Sequence, residues 1–214
     1  MQMYIVLALI LFQSCYLDDS YIIAKYLITQ FNRSQRIINS NNVNDRSVEI
    51  YLNDEKVDFR QFILFPKEGE YTILFNFTKN LTSMDHLFYQ CESLVSIDLS
   101  NFYASDVVYM DSTFSGCKNL QTVILDNFDA RKVTYMGGLF RGCTSLVSLD
   151  LSTFRTSAAL TDTRNMFENC ASLRYLNLDN FDTRNVLVMY YMFIGCKSLE
   201  TLDLSSFNTM NVQK

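Results

Sequence analysis

Five cysteines, Cys91, Cys117, Cys143, Cys170 and Cys196, follow one another at intervals of 26, 26, 27 and 26 residues. Thiolates are strong nucleophiles and soft-metal ligands, so chemistry would be sought here first. Zinc needs ligands that converge on a point, usually through C-x-x-C pairs, whereas a long fixed interval lays the thiols out on a line. Rows stacked ~4.8 Å apart would bring neighbouring Cα atoms within disulfide range, but parallel side chains point the same way and five cannot all pair. Buried structural thiols are therefore expected. The single histidine, His86, has no counterpart in the other units and is expected to face solvent. The recurrent acids Asp98, Asp150 and Asp203, with Asp126 and Asp179 in a second column, lack the Gly-rich loops and converging oxygens of a calcium site and suit turns instead. Catalysis needs unlike groups gathered in one pocket, and this chain repeats like groups at fixed spacing. No catalytic residue, metal ligand or cofactor is expected.

The same period fixes the elements that must carry these residues. Phe recurs three residues before each cysteine, at 88, 114, 140, 167 and 193, and Leu three residues after, at 94, 120, 146, 173 and 199. A second Leu column runs through 99, 125, 151, 178 and 204, and a second Phe column through 102, 128, 154, 181 and 207. A fixed period of this length implies units that stack on their neighbours with like residues in columns. Within a unit, Val107, Met110, Phe114 and Cys117 are spaced 3, 4 and 3, which puts them on one face of a short helix or a 3₁₀ turn. Leu120, Val123 and Leu125 then alternate as a short strand with one buried face, and Asp126-Asn127 turns the chain.

The stretches MFENCASLRYLNLDNFDTRNV (166–186) and MFIGCKSLETLDLSSFNTMNV (192–212) resemble the repeats of BspA-like leucine-rich-repeat proteins of bacterial and protist surfaces. The resemblance covers residues 81–212. It implies a curved solenoid on secreted or surface-anchored proteins, with an adhesive role and no shared catalytic residue. The chain departs from the pattern in its third unit, where one extra residue falls between Arg155 and Leu160 and Thr163 stands where the other units have Met. It departs again at Ile124, in a column otherwise made of Asp98, Asp150, Asn177 and Asp203. The expected fold is an α/β repeat solenoid of stacked parallel strands and short helical segments, preceded by a small antiparallel β cap.

Four regions are expected. Residues 1–15 hold a nine-residue apolar run, YIVLALILF, too short for the ~20 residues of a membrane span and suited to a signal peptide. Residues 16–47 read as a weak helix and loop, and 48–80 as alternating strands that cover the first repeat. Residues 81–214 form five repeats, the last open-ended, which admits end-to-end contact. The chain of 214 residues is 49% apolar with one Pro and six Gly, enough to pack one substantial core. Its net charge of −5, with no Lys/Arg run beyond two, gives nucleic acid no basic face. No transmembrane segment is expected in the mature chain. The sequons at Asn32, Asn76 and Asn80 are no more than composition predicts.

A partner would meet the outward residues of the strands. One row reads Val95, Gln121, Val147, Arg174 and Glu200, and a second Ser96, Thr122, Ser148, Tyr175 and Thr201. The column of Ile124, Asp150 and Asn177 lies beside them. Arg and Tyr carry much binding energy at interfaces, so Arg174 and Tyr175, flanked by Ile124, Val147, Asp150, Asn177 and Glu200, are the expected contact residues for a protein or surface glycan. The expected function is a secreted or cell-surface adhesion protein. A coat spacer, or part of a larger surface protein with an enzymatic domain elsewhere, are the alternatives.

Overall fold

The computed structural model describes residues 20–213, so the expected signal segment lies outside the described residues. The chain opens with β1 (Ser20–Ile28), β2 (Gln35–Arg36), β3 (Val48–Leu52), β4 (Glu55–Val57), β5 (Phe62–Ile63) and β6 (Gly69–Phe77). The repeats add β7 (Leu94–Asp98), β8 (Thr122–Ile124), β9 (Ser148–Asp150) and β10 (Tyr175–Asn177). The weak helix expected within 16–47 is overturned by β1. Its Ile22, Ala24, Tyr26 and Ile28 alternate inward and are buried, a period of two that SYIIAKYLI carries openly.

β1 pairs antiparallel with β6 along its whole length, from Ser20 opposite Phe77 to Ile28 opposite Gly69, and on its other edge with β7. The resulting six-stranded sheet runs β4-β3-β6-β1-β7-β8, antiparallel except for the parallel pair β7–β8. β3 and β4 are joined across Asn53 and Asp54, both left-handed as a tight hairpin turn requires. β9–β10 and β2–β5 form two separate two-stranded sheets.

The expected α/β solenoid with helical segments is not what forms, because no helix occurs among the described residues and the strands divide into short mixed sheets. The 3-4-3 spacing read as a helix face belongs to tandem turns. Cys117 N–H donates to Phe114 O at 3.1 Å, and Cys91, Cys143 and Cys170 repeat this bond to Phe88, Phe140 and Phe167 at the same distance. The third residue of each such turn is left-handed: Gln90, Gly116, Gly142 and Asn169. A second left-handed column, His86, Ser112, Gly138, Asn165 and Tyr191, breaks the backbone four residues earlier. A helix cannot propagate through a left-handed residue every fourth position, whereas turns with positive φ at their third residue need one.

The turns of successive units bond in register. Met84, His86, Phe88 and Gln90 donate their N–H groups to the carbonyls of Tyr109, Asp111, Thr113 and Ser115, at 2.8 to 2.9 Å. The next three junctions repeat the four bonds, ending with Thr163, Asn165, Phe167 and Asn169 on Val188, Tyr190, Met192 and Ile194. All four N–H groups of a turn row therefore face the following row and the matching carbonyls face the preceding one. Inside this ladder Phe88, Phe114, Phe140, Phe167 and Phe193 form one stack, with ring centroids 5.4 to 6.0 Å apart. The thiols of Cys117, Cys143, Cys170 and Cys196 donate to the carbonyls of Phe88, Phe114, Phe140 and Phe167, at 3.0 to 3.2 Å.

Candidate functional site

The leucines of each L-x-x-L-x-L stretch turn inward, so intervening residues project from the strand edge of each row. Leu149 and Leu176 are buried while Val147, Ser148, Arg174 and Tyr175 are exposed. β9 and β10 pair in parallel with Ser148 opposite Tyr175, Leu149 opposite Leu176 and Asp150 opposite Asn177, and Tyr175 bridges onward to Thr201. Arg174 N–H donates to Val147 O at 2.8 Å, and Glu200 N–H to Arg174 O at 3.1 Å. The guanidinium of Arg174 stands 4.0 Å from the Glu200 carboxylate. Tyr175 lies beside the same carboxylate, whose proximity raises its phenol above the usual range, and the residue is 53% exposed. Four of the expected contact residues, Val147, Arg174, Tyr175 and Glu200, thus sit together on adjacent rows.

The other three do different work. Asp150 Oδ1 accepts the N–H of Ser152 at 2.8 Å and Asn177 Oδ1 that of Asp179 at 2.9 Å, as Asp98 does for Ser100 and Asp203 for Ser205. This column turns the chain after each strand. Ile124, which has no oxygen to offer, pairs with Asp98 through β8, and β8 shares no ladder with β9. It is therefore separated from the cluster by a break in strand pairing.

Beside that break lies a cleft of about 860 Å³ that the sequence reading missed. Asp126, Asp129 and Arg131 line one side and Ser152, Arg155 and Thr156 the other. Arg131 grips Asp129 through Nε and a terminal nitrogen at 2.8 and 2.7 Å, and that bond holds the Asp129 carboxyl below its ordinary range. The signals for it were the missing oxygen at Ile124 and the extra residue after Arg155.

No group of His, Cys, Asp and Glu capable of holding a metal occurs among the described residues. All five described cysteines are free. Burial pushes the Cys117 thiol up to about 12, and Cys91, Cys143 and Cys170 also shift upward with burial as the first cause, so these thiols are protonated at neutral pH. Cys196 is only half-buried, which corrects the expectation that the whole column lies inside. His86 is half-buried and packs edge-on against Tyr89 at 5.3 Å, so it does not stand free in solvent. Asn76 is buried in β6 and offers no folded glycan acceptor, whereas Asn32 and Asn80 are exposed. No described helix is long and apolar enough to cross a membrane.

No curated protein and no solved structure matches the chain. The family model described as "Mycoplasma protein of unknown function, DUF285" matches twice, over residues 73–175 and again over 147–214. Those matches contain the repeats and the second half of β6, well over half of the sequence, and the chain belongs to the DUF285 family.

Proposed function

We propose that the protein is a non-catalytic binding protein, secreted or displayed on the cell surface, that holds a protein or glycan partner on its strand edge. The observation that carries this reading is the Val147, Arg174, Tyr175 and Glu200 cluster, in which an exposed Arg and Tyr stand beside one carboxylate on hydrogen-bonded backbone. Backbone already held by such bonds loses less freedom when a partner arrives, which favours affinity. The neighbouring cleft offers hydroxyls, Arg155 and the Asp129–Arg131 pair to the same partner.

The test is capture from the native cell surface by the wild-type chain and by a double variant, Arg174→Glu with Tyr175→Ala. The variant should lose partner affinity by more than about 2 kcal/mol with its unfolding midpoint nearly unchanged. Equal capture by both chains, with Lys118→Glu on the turn face abolishing it instead, contradicts the proposal.

A further inference from the structure

The cleft beside the β8–β9 break departs from its neighbouring rows in two ways. In the rows on either side, the residue after the buried Phe is Asp129 or Asp182, and each pairs with the arginine two residues on, Arg131 at 2.7 Å and Arg184 at 2.9 Å. The third unit has Arg155 there, exposed and without an ion pair among the described residues. The second departure is Ile124. Asp98, Asp150 and Asn177 each accept the N–H two residues on, but the corresponding N–H of Asp126 has no acceptor among the described residues. One guanidinium and one backbone N–H are thus left over on opposite walls of the same cleft.

The wall that carries Arg155 is held in place. The Ser157 hydroxyl donates to Arg131 O at 2.6 Å, Thr156 Oγ1 accepts the N–H of Asp182 at 2.6 Å, and the Asn185 side-chain amide donates to Ala158 O at 2.8 Å. The loop with the extra residue is therefore bonded to the row before it and the row after it, and a wall already ordered loses less freedom when a ligand arrives.

The lining selects among ligands. A volume of about 860 Å³ suits a small molecule or a short oligomer. Phe128, the apolar member of the lining, is buried, so the cleft offers none of the exposed aromatic or aliphatic anchors that carry protein interfaces. The carboxylates of Asp126 and Asp129 balance Arg131 and Arg155, which gives a polyanion no excess of positive charge. What the cleft does present is the exposed Asp126 carboxylate and Thr153 hydroxyl, which can bond sugar hydroxyls, and one unpaired guanidinium for an acid group.

We infer that the cleft binds a saccharide bearing a carboxylate, with the acid on Arg155, a sugar oxygen on the Asp126 N–H and ring hydroxyls on the Asp126 carboxylate and Thr153. The inference rests on the reading of the chain as a binding protein and names the part of its partner that the cleft takes. The probes are two uronic-acid tetrasaccharides, one of alternating glucuronate and N-acetylglucosamine and one of galacturonate, each beside its carboxyl-reduced counterpart. Titrated into the full chain, at least one acid form should bind saturably and its reduced counterpart about tenfold or more weaker. Arg155→Gln should weaken the acid form to the level of the reduced one, leave the reduced one unchanged and leave the unfolding midpoint where it is. Ile124→Asn, which gives the Asp126 N–H an acceptor within the chain, should weaken both forms severalfold. No saturable binding of any probe, equal affinity for acid and reduced forms, or acid binding that survives Arg155→Gln would each overturn the inference. The binding-protein reading is decided separately, by surface capture with the Arg174→Glu, Tyr175→Ala variant.

Discussion

The first and last rows of the ladder carry Met, Phe and Cys in the same columns and sit in different environments. At the first row, Phe75 and Phe77 of β6 meet the two Phe columns edge-on, against Phe88 at 5.5 Å and Phe102 at 5.2 Å. Tyr26 of β1, fully buried with its hydroxyl donating to Ile37 O at 2.5 Å, sits beside Cys91. Cys91 is buried as a result, while Cys196, its counterpart in the last row, is not. A column residue is made a core residue by what lies beyond it in the stack, and its sequence position alone does not decide its burial.

The largest test of that contrast removes one ring at each place. Phe140→Ala, between two stacked rings, should cost ~3–5 kcal/mol in denaturant unfolding, and Phe75→Ala should cost about as much, because the cap ring is equally buried. Phe193→Ala should cost clearly less, since the ring is only partly buried and the transfer gain lost is smaller. Equal costs at all three positions would dissolve the distinction between the ends.

The thiols give a second measure through pH. Cys117 has its pKa raised by burial from 9.0 to about 12. Its contribution to stability is fully present below the unfolded value and is lost as pH rises, because the unfolded chain releases the proton first. Between about pH 9 and 12 stability should fall by roughly 1.4 kcal/mol per pH unit for each such thiol. Cys117→Ala should flatten this slope by one proton. Cys196→Ala should flatten it less, since burial raises that half-buried thiol without enclosing it. Alkylation in native buffer should likewise reach Cys196 before the other four.

Two positions between the ends sharpen the picture with smaller effects. Thr163 replaces the Met of its column, and its buried hydroxyl has no partner, so Thr163→Val should raise stability by about 1 kcal/mol. Ile124→Asn restores the oxygen that serves the N–H two residues on in the other rows, and a gain of about 0.5–1 kcal/mol is expected. No change in either thermal midpoint would mean that these departures from the pattern are compensated by their surroundings.

The columns of Phe, Cys and Leu were legible in the sequence because each depends on one repeated residue type facing one core. The helix was misread because turns of four residues in tandem give the same 3-4-3 spacing of buried side chains as a helix face. The distinguishing marks were present in Gly116, Gly142 and Gly195 with Asn169, residues suited to left-handed backbone at a fixed place in the unit. β1 was missed although Ile22, Ala24, Tyr26 and Ile28 alternate. At the candidate site, Arg174 and Tyr175 could be read from strand phase, but the function of Asp150 and Asn177 as turn acceptors and the isolation of Ile124 required the hydrogen bonds. The direction of the turn ladder leaves no compositional trace at all, since it is a property of backbone N–H and C=O groups.

Residue-resolved amide hydrogen exchange on the intact chain reads that direction residue by residue. Slow exchange is expected at Thr163, Asn165, Phe167 and Asn169, whose N–H groups bond the last row, and fast exchange at Met189, Tyr191, Phe193 and Gly195, which hold the same positions one row later without an acceptor among the described residues. Comparable protection of the two sets would contradict it.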